Sequence, residues 1–206
     1  MATAIPDHAP TNDSSPVSID SGAVAHLRYI RDTMEAAHTF TSVPGKGCIA
    51  MGITALVAAV LDSVPGLAPY WLPIWLTAAV TAVLLASFFL VRKARAQGLG
   101  LWRGVARRFF LTLLPALLAG AVLTTALIDS DARELVAGAW LLLYGAGLAA
   151  SGVFSIGPVM VTGFAFMVLG TLALMVPPSW STALLAVGFG GLHLVLGTII
   201  SRRHGG

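Results

Sequence analysis

The chain has 206 residues, of which 57% are hydrophobic and only 10% charged, with a formal net charge of +3. Soluble domains are about 25% charged, so this composition cannot cover a water-facing surface, and a soluble globular protein is excluded. In a soluble chain the positive balance would point to nucleic acid. Here the basic residues flank apolar stretches, where topology and anionic lipid account for them and no nucleic-acid partner is expected.

Residues 1–20 are rich in Pro, Ser, Asp and Ala and carry too little apolar surface to offset the entropy of ordering, which predicts a disordered N-terminal tail. Residues 21–42 predict an amphipathic juxtamembrane helix, running from about Gly22 to His38, with Ser18, Asp20 or Ser21 as candidate N-caps. Val24, Leu27, Ile30, Met34 and Ala37 recur at spacings of three and four, while His26, Arg28, Arg31, Asp32 and Glu35 take the remaining surface. Such a helix either positions the first span or docks another membrane or cytoplasmic protein. Thr41 to Gly45 ends it, because Pro44 and Gly45 both break helices.

Six apolar stretches follow, at about 46–63, 73–91, 109–128, 135–154, 158–176 and 181–200. Each is close to the roughly 20 residues needed to cross a hydrocarbon core of about 30 Å. Residues 43–201 therefore predict an all-α bundle of six transmembrane helices, followed by a short cytoplasmic tail at 202–206. The first span should act as an uncleaved signal-anchor, since no apolar h-region precedes it. Cys48 is the only cysteine, so no internal disulfide can form. Pro115, inside the third span, predicts a kink.

Eleven of the twelve Lys and Arg residues fall on the N-terminal side of the first span, in the second loop or after the sixth span, and only Arg133 lies opposite. The positive-inside rule then puts both termini in the cytoplasm. Asp62, Asp129, Asp131 and Glu134 fall on the far side, where Tyr70, Trp71, Trp75 and Trp180 suit an aromatic belt. In the second loop, Arg92, Lys93, Arg95, Arg103, Arg107 and Arg108 predict contact with anionic lipid headgroups.

Two ridges of small residues predict close helix packing: Gly145, Ala149 and Gly152 on the fourth span, and Ala183, Ala186, Gly190 and Gly197 on the sixth. Lipid gives helices no hydrophobic reason to associate, so close backbone approach must supply the contact. Packing within the chain is one use of these ridges and a homo-oligomer seam is another. His193 lies on the sixth-span ridge. Apart from Tyr144 and Cys48 it is the only ionisable side chain within a span. Structural hydrogen bonding, a ligand or pore contact, and haem ligation are its three readings, the last needing a partner such as Met51, Met160 or Met167.

The spans hold no Asn, Gln or carboxylate in their cores, and their Ser and Thr hydroxyls are expected to bond back to their own helices. No nucleophile motif, phosphate loop, metal-ligand cluster or paired carboxylate is present. The expectation is a protein that is not an enzyme and needs no cofactor.

Tyr29 to Glu35, continuing through Phe40-Thr41 to Val43-Pro44-Gly45, and Gly188 to His193, continuing to Ser201-Arg202-Arg203-His204-Gly205-Gly206, resemble a group of six-span bacterial integral membrane proteins with no assigned activity. The resemblance implies the bacterial cytoplasmic membrane and carries over no catalytic or binding residue. Three functions stay open: an accessory or regulatory membrane subunit working through protein or lipid contacts, a carrier or flippase for a hydrophobic small molecule, and a haem-binding protein using His193.

Overall fold

A computed structural model describes residues 22, 24–31, 43–96 and 105–203. The expected tail at 1–20, most of the juxtamembrane segment 21–42, Arg103 and residues 204–206 lie outside the described residues. The chain divides into two units, Met1–Thr39 and Phe40–Gly206. In the first, residues 24–31 are helical, in keeping with their spacing, and Val24, Leu27 and Ile30 are exposed.

Among its described residues the second unit has helices joined by short turns and no strand. The helices are α1 (Gly45–Asp62), α2 (Trp71–Ala96), α3 (Val105–Asp129), α4 (Val136–Gly152) and α5 (Gly157–Met175). The last span is a composite of α6 (Ser181–Leu185), a π-helix (Ala186–Leu192) and α7 (His193–Arg203). Among the described residues, six helices are thus long and apolar enough to cross a membrane. Their outward faces stay apolar, with Val80, Leu118, Val122, Val161 and Val168 all exposed. That surface belongs in lipid, and a bundle of helices answers the demand that every backbone group in hydrocarbon be bonded internally.

The hydroxyls behave as the spans require. Thr54 donates to the Ala50 carbonyl (2.9 Å), Ser151 to Gly147 (2.7 Å) and Thr198 to Leu194 (2.7 Å), each one turn back. At the two ends the charges separate. Lys46, Arg92, Lys93, Arg95, Arg107, Arg108, Arg202 and Arg203 lie at helix ends on one side of the bundle, the basic end. Asp62, Asp129, Asp131 and Glu134 lie at the other, the acidic end.

Two boundaries differ from expectation. The helix α2 runs on to Ala96, so Arg92, Lys93 and Arg95 ride its last turns instead of a loop. Cations are favoured at a helix C-terminus by its dipole, and long basic side chains keep their charges in water while their stems cover apolar surface. For the same reason α7 continues through Arg202 and Arg203, which the sequence suggested were tail. The helix α3 runs unbroken through Pro115.

Glycine decides which helices meet. A Cβ on Gly145 would fall 2.7 Å from the Gly163 carbonyl oxygen, and one on Gly152 would lie 2.7 Å from the Met160 backbone. Across the other seam, a Cβ on Gly197 would meet the Gly45 carbonyl at 2.7 Å, and one on Gly52 would meet that of Gly190 at 2.8 Å. Side chains larger than hydrogen are excluded there, so α4 lies directly on α5 and α1 on the last span. Both predicted ridges therefore pack within the chain.

The sixth-span ridge needs one correction. Gly190 and Gly197 are buried on it, but Ala183 is exposed and Ala186 only half-buried, with Leu185 taking the inward position. The reason is the π-helix, which fits one extra residue into the turn and so shifts everything before it by one position. Gly188, Gly190 and Gly191 lie inside this segment, where glycine's backbone freedom eases the wider turn.

The helix α1 is flanked by α2 and by the last span, while α4 is flanked by α3 and α5. The last span joins these halves by touching α4 and α5. The helices α2 and α3 are consecutive, yet among the described residues they are not one of the extensively packed pairs. No residue in the most apolar eighteen-residue window of the second span is buried.

Candidate functional site

Among the described residues, side-chain hydrogen bonds link different spans at three places. At the acidic end, the Asp62 carboxylate accepts from Trp75 Nε1 (3.2 Å) and from Thr182 Oγ1 (2.6 Å), tying α1 to α2 and to the last span. Trp140 Nε1 donates to Thr124 Oγ1 (2.8 Å), joining α4 to α3, and Thr124 in turn donates to its own Gly120 carbonyl (2.8 Å).

The third set is the deepest. Tyr144 of α4 and His193 of α7 meet at 2.8 Å between Oη and Nε2, and both side chains are buried. His193 Nδ1 lies 3.0 Å from the Phe189 carbonyl oxygen, one turn back. A carbonyl can only accept, so Nδ1 carries the proton. A neutral imidazole then has its bare Nε2 free to accept from the Tyr144 hydroxyl. Each polar atom of the pair is satisfied without any net charge in the hydrocarbon, where an unpaired ion would be costly.

Aromatic rings surround this pair. The Tyr144 ring lies 4.9 Å from Phe166 and 5.1 Å from Phe189, and the Phe189 ring stacks on His193 at 6.1 Å and 13°. Phe166 is fully buried on α5.

Beside the cluster is a cavity of about 150 Å³. Its walls come from α1 (Met51, Ala55), α2 (Trp71 to Val83), α3 (Leu117), α4 (Val136 to Tyr144) and the last span (Leu185, Phe189, His193). Almost all of that wall is carbon. The hydrogen bonds above explain why: Trp75, Trp140 and Tyr144 line the cavity, yet each has its polar atom engaged by a neighbour. What remains is an aromatic and aliphatic box that no polar solute would favour.

The site draws on residues from both sides of the sequence reading. His193 is at its base. Gly190 and Gly197 hold the last span against α1, while Gly145, Ala149 and Gly152 hold α4 against α5, so the small residues act as scaffold rather than as lining. Arg92, Arg95, Arg107 and Arg108 are exposed at the basic end, with Lys93 half-buried among them, and none reaches the cavity. Asp62, Trp75, Thr124, Trp140 and Thr182 carry hydrogen bonds between helices that sequence reasoning missed. Trp75 was assigned only to an interfacial belt.

Haem does not fit this arrangement. Its ligation through Nε2 would displace Tyr144. An engineered cavity of about 150 Å³ holds benzene, so the present one is far too small for a macrocycle. Of the three methionines considered as partners, only Met51 shares the cavity with His193. No group of three or more His, Cys, Asp or Glu among the described residues could hold a metal ion.

Comparison with protein-family models, with curated proteins and with solved structures finds no match to this chain.

Proposed function

We propose that this multi-pass membrane protein is a non-enzymatic binder or carrier of an apolar molecule, which it takes from the bilayer into the cavity between α2, α3, α4 and the last span. The carbon-lined wall carries this reading, because the polar atoms of Trp75, Trp140 and Tyr144 are already bonded to Asp62, Thr124 and His193 and leave dispersion and burial as the main forces for a ligand. The proposed setting is a bacterial cytoplasmic membrane with the basic end facing the cytoplasm.

Tryptophan emission tests it. Trp71, Trp75 and Trp140, three of the five tryptophans, line the cavity. Bromobenzene, an apolar heavy-atom quencher, should quench detergent-solubilised protein with a saturable component. Ala82→Phe, which fills the cavity, should remove that component. Quenching that rises linearly, with the same slope in parent and variant, would reject the binding site.

A second reading, an accessory subunit docking through residues 21–42, is favoured by the exposed stripe of Val24, Leu27 and Ile30. Removing residues 1–42 should then lose a protein that otherwise co-purifies. Identical co-purifying proteins with and without the segment would eliminate this role.

A further inference from the structure

Shape distinguishes the kinds of apolar molecule this cavity can take. Along α2 its lining runs from Trp71 to Val83, which at 1.5 Å per residue is about 18 Å. Along α4, Val136 to Tyr144 gives about 12 Å by the same rise. A small volume drawn out over this length is a narrow slot, where a compact ring would leave most of the wall uncovered. Its length matches one leaflet, roughly half of the 30 Å hydrocarbon core.

Position points the same way. Lining residues at the starts of α2 (Trp71, Leu72) and α4 (Val136), with Leu185 in the first turns of the last span, put one end of the slot at the acidic end of the bundle. The other end closes on the Tyr144–His193 pair near mid-span. On its lipid side stand α2 and α3, which are not extensively packed on each other, and the apolar window of the second span is unburied. Leu76 and Val83, both lining residues, are about half exposed, at 47% and 54%.

Resting on the apolar-binder reading above, we infer that the occupant is one acyl chain of a membrane phospholipid. It enters sideways between α2 and α3 from the leaflet at the acidic end and reaches the aromatic cluster with its terminal methyl. The headgroup stays at the interface, where Tyr70, the residue before the lining Trp71, is exposed. Nothing in the wall would pair with a polar chain end, so a chain fits only tail-first.

The test uses full-length protein in phosphatidylethanolamine and phosphatidylglycerol vesicles. These contain a phosphatidylethanolamine with a diazirine midway along one chain. After irradiation, peptide mass spectrometry should find label on Ala78, Ala82 or Leu117 as well as on lipid-facing Val161 and Val168. In Ala82→Phe the ratio of cavity to surface label should fall roughly tenfold, the change that corresponds to about 1.4 kcal/mol, or less than two buried methylenes. Leu117→Trp is the second filling variant, should the first fail to fold.

Label confined to exposed faces, or a ratio unchanged by both variants, overturns the inference. If a free fatty acid carrying the same diazirine labels the cavity and the phospholipid does not, the source is wrong and the inference falls. Saturable bromobenzene quenching without chain label would overturn the acyl chain and leave the apolar binder standing. Loss of both signals would reject the two together.

Discussion

Replacing Tyr144 by Phe removes one oxygen and nothing else, yet it strands the Nε2 of a histidine that is 2% exposed. Leaving a buried acceptor without its donor costs about 1–3 kcal/mol. Interhelical hydrogen bonds in membranes average about 0.6 and reach about 1.7 kcal/mol, because the unfolded chain in lipid also finds partners. The expected loss is therefore about 1–2 kcal/mol. For a chain of this size that lowers the melting temperature by roughly 2–8 °C. His193→Phe should also destabilise, since it frees the Tyr144 hydroxyl and the Phe189 carbonyl. Removing both partners leaves fewer orphaned groups than the two single changes together, so the double variant should lose less than their sum. Thermal unfolding in mild detergent, followed by near-ultraviolet circular dichroism, supplies the complete cycle. A Tyr144→Phe protein that melts with the parent, or single effects that simply add, would refute the coupling of α4 to the last span through this bond.

Gly163→Val should abolish a monodisperse folded state in detergent, because its Cβ would lie 2.7 Å from Ala149 Cα, whereas Gly66→Ala and Gly157→Ala, which meet nothing within 4 Å, should stay within about 0.5 kcal/mol of the parent; size-exclusion profiles and melting curves decide between equal and unequal tolerance. Asp62→Ala removes the acceptor shared by Trp75 and Thr182, so it should cost about 1–3 kcal/mol, while Asp62→Asn, which keeps an acceptor oxygen, should lose less. Equal melting temperatures for the two variants would contradict that bond pattern.

Much of the scaffold was legible because it depends on local quantities. Hydropathy locates six spans, since each must be apolar over a full bilayer thickness. The spacing of Gly145, Ala149 and Gly152 marks a face, because an α-helix repeats every 3.6 residues. That regularity failed at Ala183, where one extra residue in the π-helical turn moved the face, an insertion that no periodic pattern announces. Tyr144 and His193 were visible as buried ionisable groups, but 49 residues separate them, and only the crossing of α4 with the last span makes them partners. Asp62 was legible only as a charge on the far side, because its two donors come from other helices. The cavity was hidden altogether: it exists where α2 and α3 fail to close, and a gap between helices leaves no mark on either one.

The separation of a basic from an acidic end by six crossings is open to direct measurement. In a Cys48→Ala background, Ser130→Cys and Arg203→Cys each place a single thiol at one end. A membrane-impermeant maleimide applied to intact cells should modify Cys at position 130 and should reach position 203 only after permeabilisation. Modification of both positions from the same side would contradict the six-span bundle and remove the bilayer from which its cavity is proposed to be filled.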